Sequence, residues 1–289
     1  MFAPMYYDRV QAPSKQLPPI LAAHLLPIVE ARLLELLRSL TAADWDRQTI
    51  VPAWKVRHIV AHLLDTSLRK LSIVRDGYFG TGPKSPSAAD VSAFVKQANA
   101  DGVRVYGNLS PAVLIGLIER ASQQLCEFTS SLDPFAPATF AVSWAGESKS
   151  ANWFDTAREL TERWHHQQQI RLAVGREGIV TPKLYHPVLE TFMRALPFSY
   201  RDVAADLSTA VRVIVTGDCG GEWCLLKRER WELVPSLGEP ETARVEVPQE
   251  IAWRIFTNGI PSDEARERSV TKGDSRLIDR FFHTRAIVT

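Results

Sequence analysis

The stretch Glu159-Leu-Thr-Glu-Arg-Trp-His-His-Gln-Gln-Gln-Ile170 holds the residues of this chain best suited to chemistry. If it is helical, Glu162 and His166 lie four apart, with Cβ atoms roughly 5–6 Å from each other on one face. That spacing suits chelation of a zinc-sized ion, whose bonds to nitrogen and oxygen run about 2.0–2.2 Å. Asp155 and Gln169 fall on the same side; Trp153, Ala157, Leu160 and Trp164 cluster on the opposite one. The same partition also describes an ordinary amphipathic helix, with its apolar face packed inward and its polar face in water.

A Glu–His pair needs a third ligand from elsewhere. The segment Val51-Pro-Ala-Trp-Lys-Val-Arg-His-Ile-Val-Ala-His-Leu63 offers His62, on the border of an apolar helix face where it can point into a bundle core. One ligand from one helix and two from another leave a fourth position open, the arrangement of a catalytic rather than a structural zinc site. His58 and His165 compete locally. His58 lies one turn from His62, whereas His165 is rotated about 100° from His166 and cannot easily share its metal.

The elements that must carry these residues are mostly helical up to Gly175. Leucines and Ile28 at helical spacing mark a first helix over 18–40, and 41–52 reads as a polar connector. A second helix is expected over 54–74, a Gly/Pro/Ser loop over 77–86, and a third helix from near Ser87 to before Asn108. Ser110-Pro111 opens another helix that runs to about Leu132. After a loop over 133–150, Asn152 can cap a long helix ending at Gly175, a natural left-handed terminus. Residues 176–187 look like a linker, with one or two helices between His186 and Asp206. Val211-Arg-Val-Ile-Val-Thr216 alternates, Gly217 to Gly221 turns, and Glu222-Trp-Cys-Leu-Leu226 runs back, as a hairpin does. Further strands are expected over 230–234 and 243–247, then helices over 249–257 and 275–282. The fold class expected is an N-terminal all-α four-helix bundle over 1–178, followed by a small α+β domain over 186–289.

Composition removes several function classes. With 34 Lys plus Arg against 33 Asp plus Glu, the chain lacks the basic surplus that a nucleic-acid binder uses to displace counterions. No run approaches the roughly 18 apolar residues of a membrane span, and the N-terminal segment has no secretory pattern. A cytoplasmic protein, monomer or homodimer, is expected, and the Asn108-Leu-Ser110 sequon carries no meaning there. Cys126, Cys219 and Cys224 are too few and too unevenly spaced for a disulfide framework. They read as packing residues.

Trp54 with Ala61-His62-Leu63, followed some hundred residues later by Thr161-Glu-Arg-Trp-His-His-Gln-Gln-Gln-Ile-Arg171, resembles the metal-binding domain of mycothiol-dependent maleylpyruvate isomerases, in the DinB-like four-helix-bundle superfamily. The resemblance implies that His62, Glu162 and His166 hold a divalent metal, usually zinc. It also implies that a low-molecular-weight thiol, mycothiol or an analogue, is the cosubstrate. The family often carries Asp where this chain has Gln169. The tail is similar to the family's sterol-carrier-like C-terminal domain, with Val211–Thr216, Trp223, Ala252-Trp-Arg254 and Gly273-Asp274 in the expected order.

The chemistry follows from the open position. A free thiol has a pKa of about 8.5 and is little ionised at neutral pH; zinc coordination removes its proton. The thiolate could then add to, or displace from, an electrophilic small molecule. The same site holding water could instead hydrolyse an ester or amide. A third reading is a non-enzymatic protein whose C-terminal domain holds an apolar ligand. Besides His62, Arg254 is a candidate catalytic residue, able to clamp a substrate carboxylate, though a helix-surface role also suits it. Trp54 and Trp144 could wall a pocket, and Arg57, Arg69 and Arg75 read as a solvated helix face.

Overall fold

In the computed structural model, which describes residues 17–85, 88–238 and 240–287, a 3₁₀ turn, Ala23–Leu25, runs into α1, Leu26–Arg38. Pro27 lies in the first turn of α1, where its missing N–H is not needed. Leu26, Val29, Leu33, Leu36 and Leu37 are buried at the spacing of one helix face. The connector that follows contains one more turn, α2, Ala42–Trp45, closed by reciprocal bonds between Thr41 and Asp44.

The second long helix, α3, Val56–Lys70, starts two residues later than expected and continues as a π-helical turn over Leu71–Arg75. Next comes α4, Ala88–Tyr106; its expected start near Ser87, like the N-terminal segment 1–16 and Pro86, lies outside the described residues. In α5, Pro111–Ser131, the Ser110 hydroxyl accepts the Val113 N–H and Pro111 fills the first turn, as the sequence predicts. The longest helix, α6, Asn152–Val174, ends at Gly175 with φ +66°. Asn152 is its first residue rather than its cap. Its amide instead donates to Asp133 O at 2.9 Å and ties down the loop before the helix.

The bundle proper is α1, α3, α5 and α6, whose Leu33, Leu37, Ile59, Leu63, Ile118 and Ile170 share one apolar cluster. The remaining long helix, α4, packs along α3 and gives that cluster only half-buried Tyr106. Among the described residues no helix is long and apolar enough to cross a membrane.

The expected linker already contains the start of α7, Pro182–Met193. Thr181-Pro182 is itself a helix-opening signal that the Gly-rich approach obscures. After α8, Leu196–Ser199, come β1, Ala210–Thr216, β2, Gly221–Lys227, β3, Trp231–Val234, and β4, Ala243–Pro248. Then follow α9, Gln249–Phe256, α10, Ser262–Glu267, β5, Val270–Gly273, and α11, Ser275–Phe282. The sheet order is β3-β2-β1-β4-β5, with β1 and β4 parallel and every other neighbour antiparallel.

Alternation decides the two faces of that sheet. Val211, Val213, Val215, Val245 and Val247 join the core, while Arg212 and Arg244 form ion pairs with Glu241 and Glu246. The core continues without a break into the apolar flank of α6. There Trp164 stacks on Tyr185, with centroids 4.3 Å apart, and meets Trp253 edge-on at 5.9 Å. The fold class is the expected one, a helical bundle followed by a small mixed-sheet unit.

Candidate metal centre

The polar face of α6 is not in water. Asp155, Glu159, His166 and Gln169 are 4 %, 7 %, 7 % and 2 % exposed, so the amphipathic expectation fails. Buried ions need partners, and the helices around α6 supply them. Lys70 of α3 lies 3.1 Å from Asp155 Oδ2 and 2.9 Å from Glu159 Oε2. Arg163, wholly enclosed, donates from Nε to Glu159 Oε1 at 2.8 Å and from Nη1 to Leu63 O at 3.0 Å. Glu30 of α1 lies 3.6 Å from the same guanidinium and accepts the Ser122 hydroxyl of α5. Burial keeps the Glu30 carboxyl above its ordinary pKa, Arg163 offsetting part of the rise. These ions join all four helices of the bundle. The sequence reading missed this set, although Glu159 and Arg163 at i, i+4 were a legible pair.

Because Lys70 meets Asp155 and Leu63 meets Arg163, α3 and α6 run in opposite directions, and His62 arrives level with Glu162. His62 Nε2 lies 2.9 Å from Glu162 Oε1, and His166 Nε2 lies 3.2 Å from the same oxygen. One donor atom from each of the three residues falls within 4.8 Å of the others. The edge of a tetrahedron with bonds of about 2.0–2.2 Å is about 3.3–3.6 Å, so small side-chain shifts would admit a cation. The rings of both histidines lie against Trp54, at 4.9 and 5.9 Å between centroids. The imidazoles are 4 % and 8 % exposed and the Glu162 side chain 28 %. The cluster is therefore reached from the carboxylate side.

His166 Nδ1 donates to Gln169 Oε1 at 2.8 Å, which leaves Nε2 as the ring atom that faces the Glu162 carboxylate. Gln169 thus fixes the orientation of the His166 ring. Burial works against charge on both His62 and Glu162, with opposite results. It lowers the His62 pKa despite the bond to Glu162. For Glu162 it is overcome by the facing imidazoles, His166 foremost, which hold the carboxyl well below its usual range. Two nitrogens and an anionic oxygen are a donor set suited to zinc.

The competing histidines are engaged elsewhere. His58 Nδ1 accepts the Lys55 N–H at 3.2 Å. His165 donates from Nδ1 to Thr161 O at 2.7 Å, and burial lowers its pKa to about 3. Arg254, on α9, is not among the converging atoms; its Nε donates to Gly259 O at 2.9 Å. Gly259 in turn packs near Ile50, in the connector that carries Trp54. Arg69 is not a freely solvated residue, since it pairs with Asp65 and reaches Asn99 Oδ1 at 2.6 Å. Trp144 packs edge-on against Phe154. Burial raises the thiols of Cys126 to about 12 and Cys224 to about 11, and that of Cys219 also upward, so all three are poor nucleophiles.

Residues 26–171 match the family model of the mycothiol maleylpyruvate isomerase N-terminal domain. The chain belongs to this family. Two solved structures also resemble it, a mycothiol-dependent maleylpyruvate isomerase and a histidine-to-alanine mutant of a mycothiol-dependent maleylpyruvate isomerase. Each is 11 % identical, covers 89 % of this chain and 93 % of its own, and superposes with a TM-score of 0.55 for the mutant and 0.54 for the other. At that identity the likeness is one of fold. No curated protein matches the chain. Membership in the maleylpyruvate isomerase family fits an α6 that carries Glu162 and His166 inside the matched region, with His62 facing them from α3.

Proposed function

We propose that this protein is a divalent-metal-dependent enzyme that activates a low-molecular-weight thiol, mycothiol or an analogue, for S-transfer or thiol-dependent isomerisation of an electrophilic small molecule. His62, Glu162 and His166 would hold the metal, zinc being the ion their donor atoms suit best. The observation that carries the reading is the convergence of His62 Nε2, Glu162 Oε1 and His166 Nε2 from two helices, in a chain of this family. When bound, the cation would supply the Lewis acidity that strips a coordinating thiol of its proton at neutral pH.

The chain's own residues do the rest. Glu162 contributes the anionic charge, Gln169 fixes the His166 ring, and Trp54 covers both imidazoles and excludes water from their faces. With the thiols of its cysteines raised in pKa, the protein would take its nucleophile from solution. Arg254 forms no ion pair among the described residues and stands in the part of the C-terminal unit that borders Ile50. We assign it to the carboxylate of the electrophile, through Nη atoms that the Gly259 bond leaves available. An apolar-ligand carrier is disfavoured, since Trp223, Trp253, Phe256 and Phe281 fill the inner face of the sheet.

Metal analysis of untagged protein purified without chelator tests the proposal, followed by turnover of an activated alkene with and without thiol. About one metal per chain is expected, lost in His166→Ala, with turnover that requires thiol. A metal-free wild type overturns the reading. Ester hydrolysis without thiol would replace it with that of a hydrolase.

A further inference from the structure

The two imidazoles of the cluster are supported unequally. His166 gives its Nδ1 hydrogen to Gln169, three residues further on. His62 is 3 % exposed, and its Nδ1 is buried without a partner among the described residues. A ring whose Nε2 takes a cation carries its hydrogen on Nδ1, and that N–H becomes a stronger donor as charge is drawn toward the cation. Left bare in the interior it would oppose binding.

Three residues on from His62 stands Asp65, on the same stripe of α3 and 8 % exposed. Helical side chains lean back over the preceding turn, which directs this carboxylate toward His62, and the two groups interact electrostatically. Both Arg69 contacts, each 2.8 Å, fall on Asp65 Oδ2, which leaves Oδ1 outside the ion pair. Across the gap, α4 closes over the carboxylate. A Cβ at Gly102 would stand 2.3 Å from Asp65 Cγ and 2.5 Å from Oδ2, so this close approach is open only to glycine. The carboxylate is confined between Arg69 and Gly102, one helical turn from the ring that lacks an acceptor.

Resting on the cation reading above, we propose that Asp65 is a positioning residue of the metal centre, its Oδ1 accepting the Nδ1–H of His62 when Nε2 holds the metal. Arg69 keeps Oδ2. The centre is then asymmetric, with a carboxylate behind one imidazole and a neutral amide behind the other, and His62 is the more basic of the two nitrogen ligands.

Zinc affinity of the full chain, read by competition with a chromophoric chelator, tests this. Asp65→Leu should bind about 10–100-fold more weakly, the usual cost of losing such a partner. Asp65→Asn, which keeps a carbonyl oxygen in place, should recover most of that loss. Arg69→Gln, which keeps the carboxylate, should bind as the wild type does. In nitrogen-15 spectra of the zinc-loaded wild type, the His62 Nδ1 proton should be protected from exchange and should shift in Asp65→Asn. Wild-type affinity in a folded Asp65→Leu overturns the role of Asp65 and leaves the metal reading standing, whereas a wild type that binds no zinc overturns both. Should Asp65→Leu fail to fold, an unshifted His62 resonance in Asp65→Asn overturns the proposal by itself.

Discussion

Replacing Arg163 by methionine removes the ion that holds the bundle interior together. Its side chain is wholly buried, and it serves Glu159, Glu30 and the carbonyl of Leu63. Glu159 would keep Lys70, but Glu30 would keep only the Ser122 hydroxyl. Breaking a buried pair while leaving one ion behind costs about 3–5 kcal/mol, a large part of the about 5–15 kcal/mol that holds a typical protein folded. Taking the unfolding entropy as about 2.1 cal/mol/K per residue over the chain, that loss lowers Tm by about 5–8 °C. The second perturbation decides the matter. Arg163→Met combined with Glu30→Gln removes the stranded charge, so the double variant should be more stable than Arg163→Met alone. Reversible urea unfolding with matched m-values measures both. A single-variant loss below about 1 kcal/mol, within the range of an exposed pair, would refute the reasoning. So would losses that simply add.

Zinc at one hundred times its Kd should stabilise the stripped wild type by about 2.7 kcal/mol, a Tm rise of about 4–5 °C; in His166→Ala a thermal scan should show none. Asp155 and Glu159 are subject to burial that would raise their carboxyls, but Lys70 foremost holds both below their ordinary ranges. Depressed carboxylates contribute stability that is present above their ordinary pKa and lost as the pH falls through the folded values. Tm should therefore decline below about pH 4, and Lys70→Met should flatten that decline; an unchanged slope counts against the pairing. Gly102→Ala puts a methyl 2.3 Å from Asp65 Cγ and should cost about 1–3 kcal/mol in the same unfolding assay.

The convergence of Glu162 and His166 was legible because residues four apart share a face on any helix that contains them. The direction of that face was not legible. A polar stripe reads alike whether it meets water or buried ions, and only the arrival of Lys70 from α3 and Glu30 from α1 distinguishes the two. Gln169 was similarly ambiguous until its bond to His166 gave it a task. In the C-terminal unit, β1 declared itself by alternation and β2 by the glycine-rich turn before it, but β5 has four residues with no buried face, and α10 is six residues long and polar except for buried Ala265. Their order is imposed by the sheet edge and by α11, not by local pattern. Asp65 was hidden for a different reason: its meaning lies in Gly102, whose signal is a missing atom.

Trp164 lies between Glu162 and His166 in the chain, and its indole is gripped on the far side by Tyr185 and Trp253 and by a 3.0 Å bond from Nε1 to Ile179 O. One helical turn is thus an axle with the donor atoms mounted on one side and the sheet-bearing half bolted to the other. A tilt of α7 or α9 would apply torque to that axle and shift Glu162 and His166 relative to His62 of α3. Severing the chain after Gly175 would strip the axle of its bearing and leave a large aromatic surface wet, so the helical half has little prospect as a free-standing binder.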